Sequence, residues 1–203
     1  MNLFKAHIIL TASVLLLGSC QNKQKAELEK TLNSYLSGLI AFDTELKDHF
    51  PFEFDADEIK EMSFILPSTV KSGGCSYAMI RTQPNQEKFS DTFKRVESEY
   101  SYIAFGDKNL IVLPDSIDYS DVSTPVFIPR FDDVVNNEAG EGDYTFEHEY
   151  SVYIIETGKG DFTDSQEELL GKPYLPKDFE HGFSRGIAVN QSNRNIIYWL
   201  LLW

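Results

Sequence analysis

The run from Ile196 to Trp203 is apolar at every position and constrains the fold more than any other segment. As a helix it is too short to cross a bilayer core of about 30 Å, which needs roughly 20 apolar residues. A strand with one face in water alternates apolar and polar side chains, and this run does not alternate. We therefore predict a central strand that is covered on both faces.

Three other segments have the β-branched and aromatic character of strands. Gly186–Val189 precedes a polar turn at 190–195, which predicts an antiparallel hairpin with the apolar run. Tyr77–Arg81 and Tyr144–Thr157 are further predicted strands. Short connections of this kind predict a mostly antiparallel sheet.

A second hairpin is predicted in the middle of the chain. Tyr100–Phe105 and Leu110–Leu113 flank a Gly-Asp-Lys-Asn sequence at 106–109, which suits a hairpin loop. Pro125 and Pro129 then bracket a short extended piece.

The clearest helix carries its apolar residues at alternating spacings of four and three. The residues that share this helix face are Leu28, Leu32, Tyr35, Leu39, Phe42 and Leu46. Lys47 in the last turn and Pro51 beyond it suit a helix end. A narrow apolar stripe would suit a coiled-coil partner. Leu36 and Ile40 widen the stripe, which favours packing against the protein's own sheet.

Two shorter helices are also predicted. Asp55–Met62 has acidic residues at its start, where the helix dipole favours them. Residues 85–99 place Phe89, Phe93 and Val96 on one face. The predicted fold is α+β: a mostly antiparallel sheet with two or three packed helices, including the long N-terminal amphipathic helix. Residues 28–203 form a single globular domain in this prediction.

The first twenty residues have the order of an export signal. A basic residue near the start precedes Ile8–Leu17, an apolar stretch far shorter than a membrane span. Leu17-Gly18-Ser19-Cys20 then resembles the lipobox of bacterial lipoproteins, which is an aliphatic residue, two small residues and a cysteine. The alternative is that the apolar stretch is a buried helix of the folded domain.

The lipobox resemblance implies that residues 1–19 are cleaved as a signal peptide and that Cys20 carries a diacylglycerol thioether, usually with a third acyl chain on the new amino group. Residues 20–27 are then a lipidated tether. One acyl chain anchors a protein weakly, whereas two or more hold it firmly. Gln21 is not the aspartate that implies inner-membrane retention in this family, so we expect the outer membrane.

Acidic residues outnumber basic ones, and the formal charge is -14. Loss of residues 1–19 removes one positive charge, Lys5, and no negative one, so the mature chain carries -15. Nucleic-acid binding depends on clustered Lys and Arg, so the charge argues against a nucleic-acid partner. It permits a basic protein partner or a divalent cation. The alternative is that the charge serves solubility alone.

Cys75 is the only cysteine besides Cys20, so an acylated Cys20 leaves no disulfide within one chain. Cysteines outside disulfides are commonly buried and act as small apolar residues, and this role is favoured for Cys75. The alternative is a reactive thiol, which needs a histidine or a helix N-terminus nearby.

Gly182-Phe183-Ser184-Arg185-Gly186 fits the G-x-S-x-G pattern of a hydrolase nucleophile. That motif needs a strand before the serine, a helix after it and a histidine later in the chain. Here a predicted strand follows Ser184, and no histidine comes after it. We therefore expect no hydrolase site, and we expect the two glycines to shape a bend into the strand.

The histidines and acidic residues suggest metal sites only weakly. His49, His148 and His181 lack the i, i+4 spacing of a zinc helix, so only the fold could bring them together. No metal or other cofactor is expected on this basis.

A calcium site is the alternative that the acidic residues leave open. Asp161, Asp164 and Glu167 could supply oxygen ligands. Asp164 and Glu167 suit a helix capping box better. The acidic loop 136–143 is a second cation candidate, or simply a solvated loop.

Three functions remain open at this point. The favoured one is a lipid-anchored, non-catalytic binding or interaction module, for example an immunity-type protein that neutralises a basic toxin. The second is a periplasmic enzyme that uses Cys75 or a histidine–carboxylate group assembled by the fold. The third is a calcium-binding module. The first is favoured because no catalytic set in the sequence is complete.

Overall fold

The computed structural model describes Ala26 and residues 29–52, 56–67, 74–104, 107–113, 118–135, 149–160, 162 and 175–203. The chain forms two compact units, Met1–Ser37 and Gly38–Trp203. The described residues of the first unit are helical, and the second unit contains the sheet. No helix in these described ranges is both long and apolar enough to cross a membrane.

A six-stranded antiparallel sheet organises the second unit. Its strands are β1 (Ile59–Ile65), β2 (Ser76–Thr82), β3 (Ser101–Ile103), β6 (Ser151–Lys159), β7 (Gly182–Asn190) and β8 (Asn195–Leu202). Their order across the sheet is β1-β2-β8-β7-β6-β3. Two more strands, β4 (Leu110–Leu113) and β5 (Val126–Pro129), form a separate parallel pair. With helices α1 (Gln86–Glu99) and α2 (Asp132–Val135), the predicted α+β class with a mostly antiparallel sheet is confirmed.

Strand β8 is the most deeply buried element. It pairs with β7 on one side and β2 on the other, and Trp199 lies opposite both Gly186 and Met79. Every residue of β8 is buried. Complete burial of a large apolar side chain contributes about 1.5–3 kcal/mol, which explains why the apolar run takes the central place. The predicted central strand and its hairpin with β7 are both confirmed.

One face of the sheet packs on the main hydrophobic core. Successive side chains of a strand point to opposite faces, so Trp199 and Leu201 share a face and lie in this core. Phe127 of β5 and Val134 of α2 pack in the same core. The parallel β4–β5 pair and α2 therefore cover this side.

The other face is covered by α1 and by the loop that precedes β1. Tyr198 points to this side, where its hydroxyl is hydrogen bonded to Thr92 of α1. Its ring lies 6.4 Å from that of Phe50 in the loop. The candidate site described below lies on this face.

Helix α1 follows directly from its sequence. The Asn85 side chain accepts hydrogen bonds from the backbone N–H groups of Glu87 and Lys88, each at 3.1 Å, and so caps the helix start. Phe89 and Val96 are buried on one face. The helix predicted for residues 85–99 is confirmed.

The predicted hairpin between residues 100 and 113 is wrong. β3 pairs with β6, and β4 pairs with β5 in parallel. Ile111 and Leu113 of β4 are completely buried in the core. A hairpin at the open sheet edge would leave these side chains partly in water, so tertiary packing outweighs the turn preference of residues 106–109.

The helix predicted at Asp55–Met62 is also wrong. Ala56–Glu58 forms a single 3-10 turn, and β1 begins at Ile59. Pairing with β2 bonds the β1 backbone in a ladder and partly buries Met62 and Phe64. These gains exceed the weak helical preference of the segment.

The N-terminal helical segment ends at residue 40, before the predicted end near Leu46. The chain continues in turns, and both Phe42 and Leu46 are buried there. The Lys47 ammonium donates to the carbonyls of Leu39 and Phe42, at 2.9 and 2.7 Å. These bonds satisfy acceptors that the end of a helix leaves open.

Candidate functional site

An open groove lies between α1, the loop at 48–52 and the Tyr198 face of the sheet. Its volume is about 600 Å³, in the range of ligand-binding clefts. A second hollow of about 300 Å³ shares Pro51, Thr92 and Tyr198 with it. The aromatic and charged side chains around the groove include Asp48, Phe52, Arg95, Tyr100, Arg185 and Tyr198.

Tyr198 forms the floor of the groove. Its side chain is buried and its hydroxyl is hydrogen bonded to Thr92. Burial raises the pKa of Tyr198 to about 12. The phenol therefore stays protonated at neutral pH and offers a neutral polar group at the floor.

His49 lies beside the floor and is held by the sheet backbone. Its Nε2 atom is 2.9 Å from the carbonyl oxygen of Trp199. Because a carbonyl only accepts, Nε2 carries the proton. Burial lowers the pKa of His49 to about 4, and the Arg185 charge acts in the same direction. His49 is therefore neutral at physiological pH and positions the loop.

Arg185 of β7 ties this loop to the sheet. Its guanidinium contacts Glu156 of β6, with Nη2 at 2.8 Å, and also the carboxylate of Asp48. Nη1 donates to the carbonyl of Glu45 at 2.9 Å. Two carboxylates therefore offset the Arg185 charge, and most of its donors are occupied.

Aromatic side chains form the mouth of the groove. Phe52 is 57% exposed, and Tyr100 is half-buried at the end of α1. Phe52 therefore adds apolar surface to a groove that also contains polar and charged groups, the combination found in ligand clefts.

Arg95 and Asp91 extend from α1 into the two hollows. Arg95 lines the larger hollow and Asp91 the smaller one. Among the described residues Lys88 of α1 pairs with Glu58 at 3.0 Å, whereas Arg95 and Asp91 form no ion pair. The charges of Arg95 and Asp91 are thus not offset by an ion pair there.

The G-x-S-x-G segment is structural. Ser184 lies inside strand β7, is completely buried, and donates a hydrogen bond to the carbonyl of Phe127 at 2.7 Å. A strand continues through this segment, whereas a hydrolase elbow needs a helix after the serine. The predicted bend is wrong, because Gly182 and Gly186 instead leave room for the rings of Trp203 and Trp199.

Among the described residues, Cys75 and His49 do not share a site. Cys75 is buried in the core on the Trp199 side of the sheet, whereas His49 lines the groove on the Tyr198 side. His181 precedes β7, and its carbonyl accepts from the N–H of Gly160 at 3.2 Å. No group of three or more His, Cys, Asp or Glu side chains that could hold a metal occurs in the described residues.

Several predicted candidates lie outside the described residues. They are Cys20, His148, the loop 136–143, Asp161, Asp164 and Glu167. The lipid anchor and the calcium alternative therefore stay predictions.

No pattern in the sequence predicts the groove. Asp48, Arg95, Arg185 and Tyr198 are spread over about three-quarters of the chain, and no local motif joins them. Alternation within β8 does place Tyr198 on the face opposite Trp199. No short segment of the sequence indicates which elements cover that face.

Comparison with protein-family models, with curated proteins and with solved structures finds no match for this chain.

Proposed function

We propose that this chain is a lipid-anchored lipoprotein of the bacterial cell envelope. Cleavage before Cys20 and its acylation follow from the lipobox resemblance, and Gln21 favours the outer membrane. The helix proposed from Leu28 onward is amphipathic and follows the tether 20–27.

The molecular function that we propose is non-catalytic binding of another protein. The observation that carries this proposal is the open groove with Phe52 exposed at its mouth. The potentially reactive side chains among the described residues support a non-catalytic function, because each of them has a structural role. Ser184 is buried and bonded to backbone, Cys75 lies in the core, and His49 is bound to a backbone carbonyl.

Photo-crosslinking in the producing cells tests this proposal. We would replace Phe52 by benzoylphenylalanine in the full chain and, as a matched control, Tyr102, which is 61% exposed and outside the groove lining. We expect a discrete adduct with one envelope protein from position 52, identified by mass spectrometry, and none from position 102. Equal adducts from both positions, or none from either, would contradict the proposal.

A further inference from the structure

Two side chains of opposite charge lie about one helical turn apart along the groove. Neither forms an ion pair among the described residues. Asp91 and Arg95 have the i, i+4 spacing that brings side chains to one helix face, about 6 Å apart along the axis. Residues at this spacing often pair with each other, but these two do not. Each lines its own hollow instead.

The surface between the two charges is formed by uncharged residues. Tyr198, Thr92 and Pro51 belong to both hollows and join them. The Tyr198 hydroxyl is already bonded to Thr92, and Phe50 packs beside the Tyr198 ring. The groove therefore runs from a negative end over an uncharged centre to a positive end.

The other charges beside the two hollows are offset by partners. Arg185 contacts Asp48 and Glu156, and Lys88 contacts Glu58. Arg95 and Asp91 are thus the charges that a ligand can neutralise. The chain's net charge of -14 repels a purely acidic ligand, whereas a ligand that carries both signs can satisfy both ends.

We propose that the groove binds an extended segment of a partner protein in which a carboxylate and a cationic side chain are two residues apart. In an extended segment, residues i and i+2 are about 6.6 Å apart, which matches the spacing of Arg95 and Asp91. The carboxylate pairs with Arg95 and the cation pairs with Asp91. The residue between them points away from the groove, because successive side chains of an extended segment point to opposite faces. This inference rests on the proposed binding function and names the chemistry of its partner.

Isothermal titration calorimetry with blocked tripeptides tests the proposal on the purified full chain. The probe is acetyl-Glu-Leu-Lys-amide, and its uncharged control is acetyl-Gln-Leu-Gln-amide. Two partly exposed ion pairs predict about tenfold tighter binding of the charged probe, and less so at high salt. Equal binding of the two peptides, or no binding of either, would overturn the proposal.

Charge-reversal variants test whether Arg95 and Asp91 cause the difference in affinity between the two peptides. Arg95→Glu and Asp91→Lys should each remove most of the discrimination between the peptides. Lys94→Glu and Glu99→Lys change the net charge equally but lie on α1 outside the groove lining, so they should retain it. If the controls lose the discrimination between the peptides equally, long-range charge alone explains it and the proposal is rejected.

Complementary peptides provide a rescue. Arg95→Glu should bind acetyl-Lys-Leu-Lys-amide about as well as the native chain binds the original probe, whereas Lys94→Glu should not gain this preference. No such gain would count against the proposal. If the adduct from position 52 survives in Arg95→Glu while the peptides are not discriminated, the binding function stands and only the proposed ligand chemistry fails.

Discussion

Gly182 and Gly186 lie where two tryptophan rings cross strand β7. A Cβ atom on Gly186 would come within 2.5 Å of Trp199 Cζ2 and would also contact the carbonyl oxygen of Tyr153. A Cβ atom on Gly182 would come within 2.7 Å of Trp203 Cζ2. The pattern that resembles a hydrolase motif is thus explained by the close approach of ring to backbone.

Gly186→Ala is expected to lower the free energy of unfolding by about 2–3 kcal/mol, because overpacking a well-filled core forces the ring and the strand to shift. Urea denaturation measures the loss. Ser101→Ala, at an exposed position of β3, should change the value by less than about 0.5 kcal/mol. A Gly186→Ala protein as stable as the native one would show that the space is not needed.

His49 predicts a defined loss of stability in acid. Its ordinary pKa is 6.5 and its folded pKa is about 4, so between these values the unfolded chain takes up a proton that the folded chain does not. The stability is therefore complete above pH 6.5 and falls as the pH drops towards 4. The loss is about 2–3 kcal/mol.

His49→Gln is the control for this loss, because its side-chain amide can still donate to the Trp199 carbonyl. Denaturation of both proteins from pH 7 to pH 4 should show a steeper decline for the native chain, since the carboxylates contribute equally to both. Parallel curves would contradict the role of His49.

At the scale of elements, α1 closes one face of the sheet and supplies one wall of the groove. Its position depends on its own buried residue Val96, on the hydrogen bond between Thr92 and Tyr198, and on the cap at its start. The groove-lining Asp91, Thr92 and Arg95 lie within about three turns of that cap. Fraying of the first turns would therefore disturb the site.

Asn85→Ala is expected to cost about 1 kcal/mol, because the N–H groups of Glu87 and Lys88 lose their acceptor. Asn85→Asp should retain the stability, since aspartate is an equally good cap and favours the positive helix end. Thermal and urea unfolding compare the two variants. A similar loss in both would show that the amide nitrogen, and not the cap oxygen, is important.

At the scale of the whole molecule, a net charge of -14 gives no attraction to an anionic membrane surface, so the proposed membrane location requires another means of attachment. Acyl chains meet this need because each buried methylene contributes about 0.8 kcal/mol. The proposed anchor at Cys20 therefore governs where the protein is found, whereas the sheet and its core govern whether it folds.

Cys20→Ser is expected to abolish incorporation of labelled palmitate and to move the chain from the membrane fraction to the soluble fraction. Cys75→Ala is the matched cysteine control and should keep both the label and the membrane association. Label that persists in Cys20→Ser, or disappears in Cys75→Ala, would refute acylation at Cys20.

Local signals predicted the parts of the fold that depend on neighbours in sequence. The Asn85 cap and the spacing of Phe89 and Val96 are contained within α1, and the apolar run of β8 needs burial whatever its partners are. The pairing of β4 with β5 was not predictable in this way, because it depends on Phe127 and Ile111 meeting in a core that distant segments build.

By itself, the amino-acid sequence determined the α+β class, the central β8 strand, the β7–β8 hairpin and helix α1, because caps, apolar periodicity and short turns act over a few residues. Only the tertiary structure decided the parallel β4–β5 pair, the course of residues 41–50 and the groove. The groove joins Asp48, Arg95, Arg185 and Tyr198, which come together only when the sheet is complete. Contacts between residues so far apart depend on which packing buries the most apolar surface, and no short segment contains that information.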